Sequence, residues 1–82
     1  MILLTTTTSR ADALAKEDVV IIKDGYYFVS DAPIDLPNSR VVIILTLIPA
    51  YWEDSEFTYD PADVFTENIS RLQETQVVYV YQ

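Results

Sequence analysis

The feature that most constrains the fold is a hairpin signal in the first third of the chain. Two apolar, β-branched and aromatic runs, residues 19–23 and 26–29, flank the dipeptide Asp24-Gly25. Such a dipeptide is typical of a two-residue type I′ turn, whose backbone requires positive φ angles. Gly25 is the single glycine of the chain, and we expect it at one of these positions.

Both faces of this predicted hairpin are apolar. The register around Asp24-Gly25 places Ile22 opposite Tyr27 on one face and Ile21 opposite Phe28 on the other. One face is expected to cover a core. The second face must then meet a helix, another sheet or a partner.

Three further strands are predicted from β-branched and aromatic runs. They cover residues 1–7, 40–48 and 76–81. The run at residues 40–48 is apolar almost throughout, which indicates a central strand. We expect Pro49 to end this strand, because proline cannot donate a hydrogen bond to a ladder.

Two short helices are predicted between these strands. Capping-box spacing at residues 9–12 precedes a helix of about two turns that ends near Glu17. Asp60 is the expected N-cap of the second helix, with Pro61 at its first position. The apolar face of that helix, at i, i+4 and i+7, contains Phe65, Ile69 and Leu72.

The element order predicts a single small α+β domain that covers residues 1–82. Its expected architecture is a mainly antiparallel sheet of four or five strands, with one or two helices on one face. This order also permits a variant of the ferredoxin-like βαββαβ unit. A chain of 82 residues is long enough for one thin core.

The composition excludes several kinds of chemistry. The chain contains no Cys and no His, which removes thiol nucleophiles, imidazole bases, zinc fingers and iron–sulfur clusters. A net charge of -8 argues against direct binding of nucleic acid, which needs lysine and arginine to displace counterions. We therefore expect a non-enzymatic protein without cofactor or metal. A small enzyme that relies on carboxylates stays open as a third hypothesis.

The sequence also bears on localisation. The N-terminus lacks the basic region of a secretory signal, and its apolar run stops after Leu4. The longest apolar stretch, residues 41–50, is half of the ~20 residues that a membrane helix needs. We expect a cytoplasmic protein that does not contact a membrane.

Negative charge is concentrated in the second half of the chain. Six acids lie within residues 53–67, a span without lysine or arginine, and they are Glu53, Asp54, Glu56, Asp60, Asp63 and Glu67. One interpretation is that they cap a helix and solvate a loop. Calcium binding is disfavoured, because the spacing does not fit an EF-hand and its glycine is missing.

The alternative interpretation of this acidic span is a surface that binds a basic partner. Carboxylates can imitate DNA phosphates, and aromatic side chains supply anchors at interfaces. The expected binding residues are the six acids together with Tyr51, Trp52 and Tyr59. In size and charge the chain resembles the small acidic inhibitors with which phages block host nucleases, glycosylases, restriction and CRISPR systems. This resemblance implies a viral DNA mimic that occludes the basic surface of a nucleic-acid-processing protein.

A second function class is a small structural or assembly subunit. The tyrosine-rich faces and exposed strand edges of a chain this small can pair with another copy. The residues expected to mediate this self-association are Tyr79 and Tyr81 on the last strand. The chain would then form a homo-oligomer.

Overall fold

The computed structural model describes residues 3–81, which form eight strands of one antiparallel sheet. The strands are β1 (Leu3–Arg10), β2 (Val19–Ile22), β3 (Gly25–Val29), β4 (Ile34–Asp35), β5 (Val42–Glu53), β6 (Glu56–Tyr59), β7 (Phe65–Ser70) and β8 (Glu74–Tyr81). The only helical segments in this range are single 3-10 turns at Ala11–Ala13 and Pro61–Asp63. The predicted α+β class, with helices on one face and a ferredoxin-like variant as an option, is therefore wrong.

The predicted strands themselves are confirmed within the described residues. β1 contains the described part of the first predicted strand, whose residues 1 and 2 lie outside the described range. β2 and β3 form the predicted hairpin, and β8 covers the C-terminal strand. The strand predicted at residues 40–48 is the first part of β5.

β5 is the central strand of the sheet. Leu47 pairs with Val29 of β3 and with Phe65 of β7, so these two strands flank β5 on opposite edges. β4 pairs near the start of β5, and β6 pairs near its end. Ile43, Leu45 and Leu47 are buried on one face of β5 and Ile48 is buried on the other, which fits an apolar run interrupted only by Thr46.

The sheet curls around its own core. Along the path β8-β2-β3-β5-β7, the first and last strands are joined by only three residues, 71–73. Backbone hydrogen bonds hold this turn, from Ala11 N to Gln73 O at 2.9 Å and from Arg71 N to Val41 O at 2.8 Å. The enclosed core consists of Ala11, Leu14, Val20, Val29, Ile43, Leu45, Leu47, Ile69 and Val77. The curled sheet thus supplies the second layer that helices were expected to supply.

The second predicted helix is strand β7. Phe65 and Ile69 are four residues apart, a spacing that fits one face of a helix and equally one face of a strand. Both are directed to the core, whereas Leu72 is exposed in the turn. The predicted cap is nevertheless correct, because Asp60 Oδ1 accepts a hydrogen bond from Ala62 N at 3.0 Å. It begins a single 3-10 turn rather than an α-helix.

The first predicted helix is likewise reduced to one turn. The 3-10 turn Ala11–Ala13 ends at Leu14, whose φ and ψ of -67° and 143° are extended. Asp18 then holds the loop by accepting a hydrogen bond from Ala15 N at 2.9 Å. Ala11 and Leu14, which fall within the predicted helix, are buried in the core.

The turn between β2 and β3 lies one residue earlier than predicted. Lys23 and Asp24 have positive φ angles of 50° and 66°, whereas Gly25 does not have a positive φ and begins β3. The register accordingly pairs Val20 with Tyr27 rather than with Val29. Because this is a shift by two residues, each side chain keeps its predicted face.

Pro49 does not end β5, contrary to the prediction. On one edge of β5 the ladder with β7 stops at Leu47, and the ladder with β6 begins at Ala50. Pro49 therefore falls into the gap between two partner strands. A residue without N–H is tolerated there at little cost.

The turn position can be tested with Lys23→Asn. Asparagine adopts positive φ more readily than lysine but is a poor strand residue. We expect this substitution to raise the free energy of unfolding by about 0.5–1 kcal/mol. Urea unfolding measures the change, with Lys16→Asn as the control. A lower free energy of unfolding for Lys23→Asn would indicate that Lys23 belongs to strand β2 and not to the turn.

Candidate functional site

The acidic span forms a hairpin that extends β5 beyond the core. Asp54 and Ser55 have φ angles of 51° and 66°, which define a two-residue turn of type I′ between β5 and β6. Residues 50–59 thus form the tip hairpin, a name we use below. Among the described residues, β6 pairs with β5 alone, and these residues span 46 × 27 × 19 Å.

One face of the tip hairpin is aromatic. Trp52 packs edge-on against Phe57, with ring centroids 4.9 Å apart, and Phe57 lies 5.0 Å from Tyr26 of β3. Tyr59 stacks on Phe28 at 4.2 Å with an interplanar angle of 11°. These five side chains form the aromatic face, which fastens the hairpin to the body of the sheet.

Ala50 makes these ring contacts possible. It pairs with Tyr26 on one edge and with Tyr59 on the other, so β3 and β6 lie about 9.6 Å apart on either side of it. The small, buried side chain of Ala50 leaves room for rings from both strands to meet above it. A larger residue there would separate the two halves of the aromatic face.

The opposite face of the tip hairpin is acidic. Glu53 and Glu56 pair directly across the two strands, and Asp54 lies in the turn between them. All three are exposed, and none has an ion-pair partner within 4 Å among the described residues. Like charges placed directly opposite each other destabilise a hairpin. These glutamates therefore oppose the local stability of the hairpin.

Tyr51 lies on the acidic face beside this glutamate pair. It pairs with Thr58, and 56% of its surface is exposed. Trp52, by contrast, is half-buried in the aromatic face. Tyr51 is thus the most exposed aromatic side chain of the tip hairpin.

The arginines are gathered at the other end of β5. Arg71 binds Asp35 at 2.7 Å and approaches Asp12 at 3.7 Å, and Arg10 also pairs with Asp12. Arg71 Nε donates to the carbonyl oxygen of Arg40 at 2.8 Å. Because β5 has 12 residues, this cluster lies about 36 Å along the strand from the acidic turn. The charge of the molecule is polarised along its central strand.

The Arg10 guanidinium lowers the pKa of Asp12. The largest cause is the side-chain hydrogen bond from Arg10, and the charges of Arg10 and Arg71 add to it against partial desolvation. A carboxyl group with a lowered folded-state pKa stabilises the fold above its ordinary pKa. That contribution is lost as the pH falls below about 3.8.

Two of the predicted binding residues lie away from the tip hairpin. Asp63 is exposed in the second 3-10 turn. Glu67 is half-buried on β7 and lines a small cavity of about 70 Å³ with Lys23 and Phe65. Asp60 follows the hairpin as the cap described above, while Tyr51, Trp52, Glu53, Asp54, Glu56 and Tyr59 all belong to it.

The predicted self-association residues lie on β8, which is not an edge strand. It pairs with β1 along its whole length and with β2 up to Val78. Tyr79 lies beyond this point and is 42% exposed. Tyr81 ends the strand, and its side chain lies outside the described residues.

A groove beside the tip hairpin is absent from the sequence-based prediction. Its volume is about 530 Å³, and it lies between the β2–β3 turn and the end of β5. Its lining comprises Gly25, Tyr26, Tyr27, Pro49, Ala50, Tyr51, Trp52 and Glu53. Predicting this groove would have required the register of β3 on β5, which brings the β2–β3 turn next to the end of β5.

The described residues contain no cluster of three or more acidic side chains placed to hold a metal ion. Within the same range, no helix is long and apolar enough to cross a membrane. Comparison with known proteins found no matching family model, no matching curated protein and no matching solved structure.

The arginine cluster generates a pH-dependent prediction. Asp12→Asn should lower the urea midpoint of unfolding at neutral pH, because Arg10 and Arg71 lose a charged partner. The difference from the unsubstituted protein should shrink as the pH falls below about 3.8, where Asp12 itself becomes neutral. Asp63→Asn, at an exposed site, serves as the control. A difference that persists undiminished in acid would contradict the assigned pKa shift.

The glutamate pair generates a second prediction. Glu56→Lys should raise the free energy of unfolding by about 0.2–1 kcal/mol, because it replaces a repulsive cross-strand pair by an attractive one. Chemical denaturation of Glu56→Lys in the presence and absence of Glu53→Gln completes a double-mutant cycle. The gain should disappear when Glu53 is neutral. Destabilisation by Glu56→Lys would show that the glutamates support the fold.

Proposed function

We propose that the protein is a non-enzymatic acidic binding module, which uses the tip hairpin to occupy a basic surface of a nucleic-acid-processing protein. The observation that carries this proposal is the exposed Glu53–Glu56 pair at the turn. It opposes the stability of the hairpin and lacks a basic partner among the described residues. The proposal places this interaction in the cytoplasm, where such partners act.

The arrangement of the tip hairpin fits a DNA mimic. Two-stranded hairpins are narrow enough to enter a groove, and this one presents three carboxylates without a neutralising base. Tyr51 adds an exposed ring beside them, in the position of an interface anchor. The carboxylates would accelerate encounter with a basic surface and select it over neutral surfaces.

The shape of the candidate site favours binding over catalysis. The carboxylates stand on a projecting turn, whereas general acid–base chemistry uses carboxyl groups that converge in a concave and water-excluding site. The groove beside the hairpin is lined by one acid, Glu53, and otherwise by aromatic and small residues.

The proposal predicts competition with DNA. The protein should displace a short fluorescent DNA duplex from at least one member of a panel comprising a restriction endonuclease, a DNA glycosylase and a CRISPR nuclease. Neutralising the tip with Glu53→Gln, Asp54→Asn and Glu56→Gln should weaken this displacement at least about tenfold at low salt. Fluorescence anisotropy measures the competition.

The matched control carries the same charge change elsewhere, as Glu17→Gln, Asp31→Asn and Glu74→Gln. It should retain the displacement to within about threefold, since only the overall charge is altered. If both triple variants lost the same amount of DNA displacement, net charge alone would explain the effect and the tip hairpin would not be the binding site. No displacement from any member of the panel by the unsubstituted protein would also overturn the proposal.

A second candidate function, self-association, is favoured by the outer edge of β1. This eight-residue strand pairs only with β8 in the described part of the chain, and its residues 3–10 include no acid. The bond from Ala11 N to Gln73 O fixes the alternation along β1, so that Leu4, Thr6 and Thr8 direct backbone groups outward. A long edge without lysine, proline or bulge is a template for pairing. Two copies could join these edges antiparallel.

Thr6→Pro tests this candidate, because it removes an outward N–H and leaves the ladder to β8 intact. We expect light scattering to give twice the chain mass of 9.4 kDa for the unsubstituted protein and for the control Thr6→Ala. The Thr6→Pro variant should have the mass of one chain. A single-chain mass before substitution would exclude the paired state, and a Thr6→Pro dimer would exclude this edge.

A further inference from the structure

We infer that the groove beside the tip hairpin binds an extended basic peptide segment, which adds as a strand to the free edge of β5. This inference rests on the proposed function and specifies which part of a basic partner is recognised. The groove has a volume of about 530 Å³ and lies against the last residues of β5.

The backbone of β5 lacks a ladder partner on the side of the groove. The ladder between β3 and β5 ends at the pair Tyr26–Ala50, so residues 51–53 have a ladder partner only in β6. Residues that flank a two-residue turn exchange hydrogen bonds, which directs the backbone groups of Glu53 and, two residues earlier, Tyr51 toward β6. The N–H and C=O of Trp52 therefore point to the groove. These are the groups that an added strand would bind.

The floor of the groove combines aromatic rings with a carboxylate. Pro49, Tyr51 and Glu53 alternate along one face of β5, and Tyr27 of β3 pairs with Pro49 beside them. In an added strand, every second side chain would lie over this floor. A long side chain with an apolar stem and a cationic end matches two aromatic rings followed by a carboxylate. Arginine meets this requirement best, since its planar group stacks on rings and pairs with carboxylates.

Acidic residues surround the groove. Glu53 lines it, and Asp24 precedes the lining residue Gly25 in the adjacent turn. Asp54 follows Glu53 in the turn of the tip hairpin. Lys23 lines the small cavity with Glu67 and not this groove. The surroundings thus favour a cationic occupant.

The dimensions limit the recognised segment. Three residues of β5 offer a free edge, which corresponds to about 10 Å of extended chain. A segment of three or four residues with alternating basic side chains would fill this edge. Acidic residues further out on the tip hairpin would then contact the rest of the basic surface.

Trp52 is the single tryptophan of the chain and reports on the groove directly. The probe is the capped peptide acetyl-Arg-Val-Arg-Val-Arg-Val-amide, titrated against tryptophan fluorescence. Two further peptides carry N-methyl groups on all valines or on all arginines. Successive amides of a strand face opposite edges, so each methylated peptide blocks one edge and keeps its charge.

Strand addition predicts that one methylated peptide loses at least about tenfold in affinity and the other less than about threefold. On the protein, Tyr51→Ser should weaken binding of the unmethylated peptide about fivefold or more, because it removes a ring from the floor. The matched control Tyr79→Ser changes another exposed tyrosine and should leave the affinity within twofold, since it lies outside the groove.

Equal affinities of the two methylated peptides would overturn strand addition, because attraction by charge does not distinguish them. An unchanged tryptophan signal with every peptide would overturn the groove as the site. Neither result would affect the DNA competition assay, whose failure would overturn the proposed function separately. A further outcome is that the two methylated peptides differ in affinity while the protein fails to displace DNA from any enzyme of the panel. That combination would support the peptide site and overturn DNA mimicry.

Discussion

The fold depends on the short connection between β7 and β8. From Ser70 to Glu74 the chain can span at most about 14 Å. In a flat sheet, the four strand spacings from β8 through β2, β3 and β5 to β7 would separate these strands by about 19 Å. The sheet must therefore curl, and the curl encloses Val20, Leu45 and Val77 with the rest of the core. A second layer of helices is unnecessary, because opposite parts of one sheet cover each other.

The curl of the sheet also determines which residues cover the second apolar face of the β2–β3 hairpin. Its inner side chains, such as Val29, enter the core, whereas Tyr26 and Phe28 point away from it. These two rings are met by Phe57 and Tyr59 of the same chain. The tip hairpin is thus fastened to the sheet, because β5 continues past the core and β6 pairs along its edge, which places the rings of Phe57 and Tyr59 on the outer face.

The sequence predicted β1, β2, β3, β8 and the first part of β5, because alternation and β-branched residues are local signals, but it predicted no strand at β4 or β6. The first turn was placed one residue too late, because glycine adopts positive φ more readily than Lys23. β7 was predicted as a helix, because a spacing of four residues fits one face of a helix and one face of a strand. For the candidate site, the acidic residues and Tyr51 are neighbours in the sequence and could be listed without the structure. The opposition of Glu53 and Glu56 required the turn geometry, and the groove required the long-range register of Tyr27 on Pro49. These pairings join residues that are distant in the sequence, so no short segment of it predicts them.

The tip hairpin places its stabilising ring contacts and its exposed carboxylates on opposite faces of the same two strands. An isolated hairpin is at best marginally stable, and the opposed glutamates cost this one a further ~0.2–1 kcal/mol. Each aromatic pair of the outer face contributes about 0.5–1.5 kcal/mol beyond the area it buries, and three such pairs involve the hairpin. The free energy that the three aromatic pairs contribute therefore exceeds the cost of the repulsion between Glu53 and Glu56. Because Trp52 and Phe57 alternate with Glu53 and Glu56 along the strands, the acidic face can change its charge without loss of the contacts that hold it in place.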